Sequence, residues 1–233
     1  MLQELCGRLN DLSDPVKAEN VRRYFKAEPG GYGEGDRFLG IRVPVLRGLA
    51  KEYADLPFDD ILRLLHTNIH EQRFLALLLL VQGFRKADPE GEQLIYEQYM
   101  ANTARINNWD LVDVSAMHIV GPYLLERDKK ILSELASSCS LWKRRIAIMA
   151  TFHFIRQNRF ETTLELAEIL LYDREDLIHK AVGWMLREIG KRDQGAEEAF
   201  LQKHYRVMPR TMLRYAIENF PERLRKMYLR GEV

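Results

Sequence analysis

The segment Arg144-Arg145-Ile146-Ala147-Ile148 joins a basic opening to a short apolar run, and this pattern returns along the chain. The other copies, with basic or polar openings, are Gln72-Arg73-Phe74-Leu75-Ala76, Trp109-Asp110-Leu111-Val112-Asp113, His179-Lys180-Ala181-Val182-Gly183 and Arg210-Thr211-Met212-Leu213-Arg214. Measured from Arg73, Asp110, Arg145, Lys180 and Thr211, the steps are 37, 35, 35 and 31 residues. A period of this length is typical of proteins built from stacked pairs of helices.

Helical periodicity also fills the sequence around these copies. Apolar residues recur three and four positions apart, as at Ile61, Leu64 and Leu65, which is the spacing of a helix with one buried face. No segment alternates as a half-buried strand does. The sequence therefore predicts an all-α fold over residues 1–233 as a single domain: a superhelical solenoid of HEAT-like antiparallel helix pairs whose second helices line a concave surface. A helical bundle with coincidental spacing is the alternative.

The composition is that of a folded protein without a membrane span. Of the 233 residues, 46% are apolar and 30% are charged, with a formal net charge of +1, and this excludes a disordered chain. The longest apolar run, residues 74–81, is far too short to cross a bilayer. Cys6 and Cys139 lack the spacing of metal or redox sites, so we expect two core thiols in a reducing cytoplasm.

A glycine-rich segment, Glu28-Pro-Gly-Gly-Tyr-Gly-Glu-Gly-Asp36, interrupts the helical pattern. A phosphate-binding loop is excluded because no Gly-Lys-Ser/Thr follows and no strand precedes. The segment instead predicts a mobile loop at about 28–36, before Phe38-Leu39-Gly40-Ile41. Val43-Pro44 then opens the next helix, with proline in its first turn.

Basic residues are concentrated in two parts of the chain. Residues 141–160 contain five basic side chains and no acidic one, and residues 201–217 repeat this bias. If the two stretches lie in similar parts of their repeats, their positive ends form a basic stripe along the concave surface that follows a phosphate backbone. Solvated helix faces are the alternative, and the sequence does not decide between the two.

The stretch Asn107-Asn108-Trp109-Asp110-Leu111-Val112-Asp113 carries the candidate chemistry. An asparagine cap followed by a helix places Trp109 and Asp113 one turn apart on one face. The helix dipole accounts for Asp110 in the first turn, whereas Asp113 lies beyond that turn and needs another partner. Two explanations stay open: a structural salt bridge, or a carboxylate beside an indole that stabilises positive charge on a substrate.

Three further residues are unusual in their context. Trp184 follows Gly183 in mid-helix, where glycine costs about 1 kcal/mol relative to alanine, so this glycine makes room for a close neighbour; packing between repeats is the simplest role for Trp184. His66 and His70 are four residues apart and could share a metal on one helix, but Thr67-Asn68 is typical of a turn between helices and no third ligand is evident. We expect neither a metal nor another cofactor.

Taken together, these motifs resemble the AlkD family of DNA alkylation-repair glycosylases, which are built from HEAT-like repeats. The resemblance covers nearly the whole chain. It is carried by Arg23-Tyr24-Phe25-Lys26, Phe38-Leu39-Gly40-Ile41-Arg42-Val43-Pro44, Trp109-Asp110-Leu111-Val112-Asp113, Trp142-Lys143-Arg144-Arg145-Ile146-Ala147 and Lys180-Ala181-Val182-Gly183-Trp184-Met185-Leu186-Arg187-Glu188.

This resemblance implies excision of cationic alkylated purines, such as N3-methyladenine and N7-methylguanine, from duplex DNA. The base would stay largely stacked rather than enter a deep pocket, unlike the substrate of most glycosylases. Asp113 matches the catalytic aspartate, Trp109 and Trp184 match two tryptophans that pack against the deoxyribose, and Arg145 matches an arginine that holds the backbone. We assign contacts with DNA to Tyr24, Lys143, Arg144, Lys180, Arg187, Arg210 and Arg214.

Two features separate the chain from the best-described branch of that family: the glycine-rich segment 28–36, and Asn107-Asn108, where some members have an extra tryptophan. The family also includes relatives that bind DNA without excising bases. A non-catalytic protein that binds distorted or branched DNA is therefore an alternative, and a protein-binding solenoid is a third. We expect a monomer in the bacterial cytoplasm or nucleoid, with double-stranded DNA containing alkylated purines as its partner and no membrane association.

Overall fold

A computed structural model describes residues 1–233 and confirms the all-α prediction. The helices are α1 (Leu2–Asp11), α2 (Pro15–Tyr24), α3 (Val43–Glu52), α4 (Phe58–Leu65), α5 (His70–Phe84), α6 (Pro89–Ala101), α7 (Trp109–Ser115), α8 (Val120–Leu124), α9 (Lys130–Ala136), α10 (Leu141–Ala150), α11 (Phe152–Arg156), α12 (Glu161–Ile169), α13 (Asp176–Gly190), α14 (Gln194–His204), α15 (Arg210–Ala216) and α16 (Glu222–Arg230). Short 3-10 turns occupy Thr103–Arg105, Ala116–His118 and Ile217–Asn219. No helix is both long enough and apolar enough to cross a membrane.

The five copies of the sequence pattern lie in helices α5, α7, α10, α13 and α15. Each of these follows a shorter or more polar partner in the chain, so the copies mark the second helix of successive pairs, as predicted. Second helices also pack on one another: α5 contacts α7, and α13 contacts both α10 and α15. The repeat in the sequence is therefore a repeat of helix pairs.

The chain divides into two compact units, Met1–Ser115 and Ala116–Val233. In the N-terminal unit, α5 packs against α3, α4, α6 and α7. Most of its 15 residues are buried, including its first-turn polar side chains, as expected of a helix surrounded by others. In the C-terminal unit, α13 has the central place between α10, α14 and α15. A single domain, a concave surface and a basic stripe along it remain predictions.

Gly183 lets α13 and α15 approach closely in the C-terminal unit. A Cβ atom at this position would lie 2.4 Å from the carbonyl oxygen of Met212 and 2.5 Å from Cβ of Tyr215. The close neighbour that the sequence predicted beside Trp184 is therefore the next second helix of the repeat.

The glycine-rich segment folds into consecutive turns that end at a buried acid. Gly30 and Gly35 have φ angles of +80° and +87°, a region that favours glycine. Asp36 is buried at the end of the segment. The following backbone docks on the start of α5, where the carboxylate of Glu71 accepts hydrogen bonds from the N–H groups of Leu39 and Gly40 at 2.9 and 2.8 Å.

The predicted start of α3 is confirmed, whereas the predicted burial of the two cysteines is not. Helix α3 begins at Val43, with Pro44 in its first turn, as predicted. Cys139 is exposed and Cys6 is only partly buried, so the prediction of two core thiols is wrong. Cys139 lies in the turn between α9 and α10, and Cys6 is next to Leu5 on α1 but off the face that Leu5 and Leu9 bury.

Replacing Gly183 with alanine tests the close approach of α13 and α15. Because the added methyl group meets backbone and a Cβ atom, we expect Gly183→Ala to lower the free energy of unfolding by about 1–3 kcal/mol. Gly48→Ala in α3 is the matched control, since nothing lies within 4 Å of its Cβ position and the helix should gain up to ~1 kcal/mol. Thermal unfolding of both variants measures this; equal melting temperatures would contradict it.

Candidate functional site

Helix α7 carries the two candidate residues of the N-terminal unit. Asn108 is buried directly before the helix, and its side-chain oxygen accepts a hydrogen bond from the N–H of Trp109 at 2.8 Å. Trp109 is the first helical residue and Asp113 follows one turn later, each partly buried. The asparagine boundary and the shared face predicted for these two residues are thus both present.

Aromatic rings hold the indole of Trp109 in place. Its ring lies 5.3 Å from that of Phe25 in a stacked arrangement, and 6.0 Å from that of Tyr24 in an edge-to-face arrangement. Such pairs contribute about 0.5–1.5 kcal/mol beyond the area they bury. Tyr24 ends α2 and is 66% exposed, so the structure brings it beside Trp109 with its ring open to solvent.

Behind Phe25, a buried histidine is held between two carboxylates. The ring of His70 is 4.8 Å from Phe25 and 4.9 Å from Phe38, and the residue is only 3% exposed. Its Nδ1 lies 3.2 Å from Asp36 Oδ2 and its Nε2 lies 2.8 Å from Asp110 Oδ2. Carboxylates only accept hydrogen bonds, so both ring nitrogens donate and the ring is an imidazolium. We call Asp36, His70 and Asp110 the histidine clamp.

The charges of the histidine clamp stabilise one another. Burial opposes the positive charge on His70, but the hydrogen bonds and negative charges of Asp110 and Asp36 outweigh it and raise the pKa of the imidazole to about 9. Burial likewise opposes charge on Asp36. The hydrogen bonds from His70 and from Arg73, whose guanidinium lies 2.5 Å away, keep the pKa of that carboxyl below its usual value.

The clamp fixes the start of the helix that carries Trp109 and Asp113. Asp110 lies in the first turn of α7, where its second oxygen accepts a hydrogen bond from the N–H of Leu111 at 2.9 Å. One carboxylate therefore bonds both to its own helix and to His70 at the start of α5. The end of the glycine-rich segment is joined to the same imidazole through Asp36.

Sequence reasoning missed this arrangement. It explained Asp110 by the helix dipole alone. The turn predicted at Thr67-Asn68 does separate the two histidines: His66 follows the end of α4, where its Nε2 lies 2.5 Å from Asn102 Oδ1, while His70 begins α5. No local spacing connects residues 36, 70 and 110, so only the fold reveals the clamp.

Asp113 lies near a buried phenol. Burial is the main cause that raises the pKa of Tyr99, and the negative charge of Asp113 raises it further. The Tyr99 hydroxyl is hydrogen-bonded to Oγ of Ser115 at 3.0 Å. Asp113 is therefore close enough to Tyr99 for its charge to act on the phenol.

In the C-terminal unit, Arg145 and Trp184 lie on α10 and α13, two helices that pack together. Arg145 is 5% exposed, and its Nη1 donates a hydrogen bond to the carbonyl of Leu177 at 2.5 Å. Trp184 is partly buried; its Nε1 donates to Glu188 at 3.3 Å, and its ring lies 6.3 Å from Phe152. Both side chains thus have fixed orientations within this unit.

The basic residues predicted to contact DNA differ in their availability. Lys143 is partly buried, Lys180 pairs with Asp176 at 2.7 Å, Arg187 pairs with Glu218, Arg210 donates to the carbonyl of Leu229, and Arg214 is exposed. Arg144 bonds to Asp173 at 2.6 Å and to the carbonyls of Ser138 and Cys139. Its guanidinium is thus bonded within the protein, and the contact of Arg144 with DNA stays a prediction.

Comparison with known protein families identifies the family of this chain. A family model described as DNA alkylation repair enzyme matches residues 6–220. The chain belongs to this family. The resemblance inferred from the sequence motifs is therefore confirmed.

Solved structures share the fold. A protein described as a predicted DNA alkylation repair enzyme from Enterococcus faecalis is 18% identical, with a TM-score of 0.71 over 90% of this chain and 97% of that one. AlkD2 from Streptococcus mutans is 16% identical, with a TM-score of 0.55 over 88% and 99% of the two chains. At such identities the likeness concerns the fold alone. A search of curated protein sequences finds no significant match.

The histidine clamp predicts a specific dependence of stability on pH. Since the pKa of His70 rises from 6.5 to about 9 on folding, protonation stabilises the fold by about 3 kcal/mol. This contribution is complete below pH 6.5 and is lost as the pH rises through 9. We therefore expect the gap in unfolding free energy between the wild type and His70→Gln to be larger at pH 6 than at pH 10, in urea unfolding.

His66→Gln is the control for this measurement, because His66 is exposed. Its difference from the wild type should stay small at both pH values. A constant gap for His70→Gln between pH 6 and pH 10 would show that His70 is not an imidazolium in the folded protein.

Proposed function

We propose that this member of the DNA alkylation repair family is a monofunctional glycosylase. It hydrolyses the N-glycosidic bond of cationic alkylated purines, such as N3-methyladenine and N7-methylguanine, in duplex DNA without deep base flipping, and works as a monomer in the cytoplasm. The observation that supports this most is the pair Trp109 and Asp113, one turn apart on a helix whose first turn is held by a buried ion cluster.

The reaction requires stabilisation of a cationic sugar more than activation of the base. An alkylated purine already carries positive charge, so when the C1′–N bond breaks, its electron pair neutralises the departing base. The positive charge then lies on the deoxyribose. The carboxylate of Asp113 stabilises this charge and accepts a proton from the water that adds to C1′, which leaves a free base and an abasic site.

Trp109 supplies a rigid wall beside the sugar. Its indole cannot turn freely because Phe25 stacks on it and Tyr24 covers its edge. The face of an indole attracts positive charge, so it suits a deoxyribose with cationic character. By the family resemblance, Trp184 contributes a second indole and Arg145 holds the DNA backbone near the lesion.

The histidine clamp pre-organises the helix that carries Asp113. A catalytic carboxylate is effective when it does not need to reorganise as charge develops. Because Asp110 is bonded both to His70 and to the backbone of α7, the helix start is fixed before DNA binds. The residue that acts on the sugar is Asp113, while Asp110 positions the helix.

In this proposal, contacts with the phosphate backbone supply most of the protein's affinity for DNA. Tyr24 is exposed beside Trp109. The basic residues to which we assign phosphate contacts are Lys143, Lys180, Arg187, Arg210 and Arg214; Lys180 and Arg187 would exchange a carboxylate partner for a phosphate. Contacts of this kind carry little sequence preference and weaken with salt. That behaviour suits an enzyme that must recognise damage in any sequence.

Substitution of Asp113 tests the proposed chemistry. We expect Asp113→Asn to reduce release of N7-methylguanine from a duplex by about 100-fold or more, since the amide neither stabilises cationic sugar nor accepts a proton. Free base is measured by chromatography under single-turnover conditions. Asp55→Asn, an exposed acid of the same unit, should release base at the wild-type rate.

Two results would refute the glycosylase proposal: base release by the wild type no faster than spontaneous loss, or equal rates for the wild type and Asp113→Asn. Tight binding to bulged or branched DNA without base release would instead support a non-catalytic DNA-binding protein. Absence of DNA binding even at low salt would support a protein-binding solenoid.

The charge of the lesion provides an independent test. If the leaving base is neutralised by bond cleavage, a neutral lesion such as O6-methylguanine leaves much more slowly than N7-methylguanine in the same duplex sequence. We expect release of the neutral base to stay at the background rate. Comparable rates for the two lesions would mean that the protein protonates the base, which the proposed mechanism does not include.

A further inference from the structure

The C-terminal unit contains an open cavity of about 560 Å³ with an excess of positive charge. Its lining residues are Arg187, Thr211, Arg214, Tyr215, Glu218 and Arg225. Three guanidinium groups thus share the cavity with a single carboxylate. We call this cavity the arginine pocket.

The guanidinium groups of the arginine pocket have unused hydrogen-bonding capacity. The Nε atoms of Arg187 and of Arg225 are buried without a hydrogen-bond acceptor, a state that is unfavourable for a polar group. Arg214 is exposed and pairs with no carboxylate. Arg225 also donates to the exposed Glu222 at 3.2 Å, a residue outside the pocket lining. Within the lining, three guanidinium groups face one carboxylate, and an anion would supply the acceptors and negative charge that are missing.

Glu218 is the one acid in the arginine pocket, and its position is easily changed. It forms an ion pair with Arg187, but its side chain is 56% exposed, whereas that of Arg187 is 19% exposed. An exposed carboxylate is well hydrated and gains little from one ion pair. Glu218 can therefore turn into solvent while Arg187 keeps its place.

The arginine pocket lies beside a residue of the proposed active site. Arg187 follows Trp184 by three residues on α13, so both project from one face of the helix, about 4.5 Å apart along its axis. Gly183 holds α15, which carries Arg214, against the same part of α13. A ligand in the pocket would thus be close to the molecule that contacts Trp184.

We propose that the arginine pocket binds a backbone phosphate of DNA next to the lesion, and that Glu218 fills the pocket in the free protein and leaves it when DNA binds. A phosphodiester carries one negative charge and two free oxygens, which guanidinium groups bind through paired hydrogen bonds. The choice of DNA as the source of the phosphate rests on the proposed function. Arg225 and Glu218 are the residues that this inference adds to the interface.

Arg225 is tested by binding to an undamaged duplex, followed by fluorescence anisotropy over a series of salt concentrations. We expect Arg225→Gln to weaken binding roughly tenfold and to reduce the slope of log K against log salt by about 0.9, the value for one lost phosphate contact. Arg225→Lys should retain the slope because it retains the charge. Arg223→Gln is the matched control, since Arg223 is exposed on the same helix but outside the pocket.

Glu218 is tested in the same assay. We expect Glu218→Gln to strengthen DNA binding severalfold, because the phosphate no longer displaces a carboxylate from Arg187. Removing any acid makes the protein more positive, so Glu165→Gln, an exposed acid on α12, serves as the control for net charge. The effect of Glu218→Gln must exceed that of Glu165→Gln.

The inference is overturned if Arg225→Gln and Arg223→Gln change affinity and salt slope equally, or if Glu218→Gln binds no better than Glu165→Gln. It is also overturned if inorganic phosphate binds to the pocket at millimolar concentration in a ³¹P NMR titration while DNA binding is insensitive to Arg225→Gln, since the site then serves free phosphate. Thermal unfolding of each variant establishes that it is folded. Binding to undamaged DNA does not require base release, so this inference and the glycosylase proposal can fail separately.

Discussion

The pairing of the buried His70 imidazolium with Asp36 and Asp110 is the interaction on which the arrangement of the N-terminal unit depends. His70 is the centre of this cluster, and the rings of Phe25 and Phe38 both pack against its imidazole. The buried Asp36 depends on the positive charges of His70 and Arg73, and the buried imidazolium depends on the two carboxylates. The same contacts join three parts of the chain, so the first turn of α7 is held against the start of α5.

Much of the fold could be predicted because its signals are local. Helical spacing of apolar residues is visible within a few turns, and the repeated pattern marked α5, α7, α10, α13 and α15 correctly. The close neighbour of Gly183 could also be predicted, because glycine is unfavourable in mid-helix unless a neighbour needs the space. Which helix supplies that neighbour could not be predicted. The burial of α5 on all sides was not foreseen, since it follows from which helices surround it.

The candidate site was predictable only where it is contained in one helix. The spacing of Trp109 and Asp113 follows from helical geometry, and the structure reproduces it. The histidine clamp depends on contacts between distant residues, which no pattern in a single sequence records. Arg144 shows the same limit: the sequence reveals its charge but not Asp173, the partner that keeps this charge inside the protein.

The turns before Asp36 limit how the length of this loop can change. Surface loops usually tolerate insertions and deletions, but this one is constrained at both ends. Near its start, a Cβ atom at Gly31 would overlap the carbonyl oxygen of Lys26, and at its end Asp36 is bonded to His70. An added or deleted residue would move Asp36, and the displacement would pass through His70 and Asp110 to the indole of Trp109.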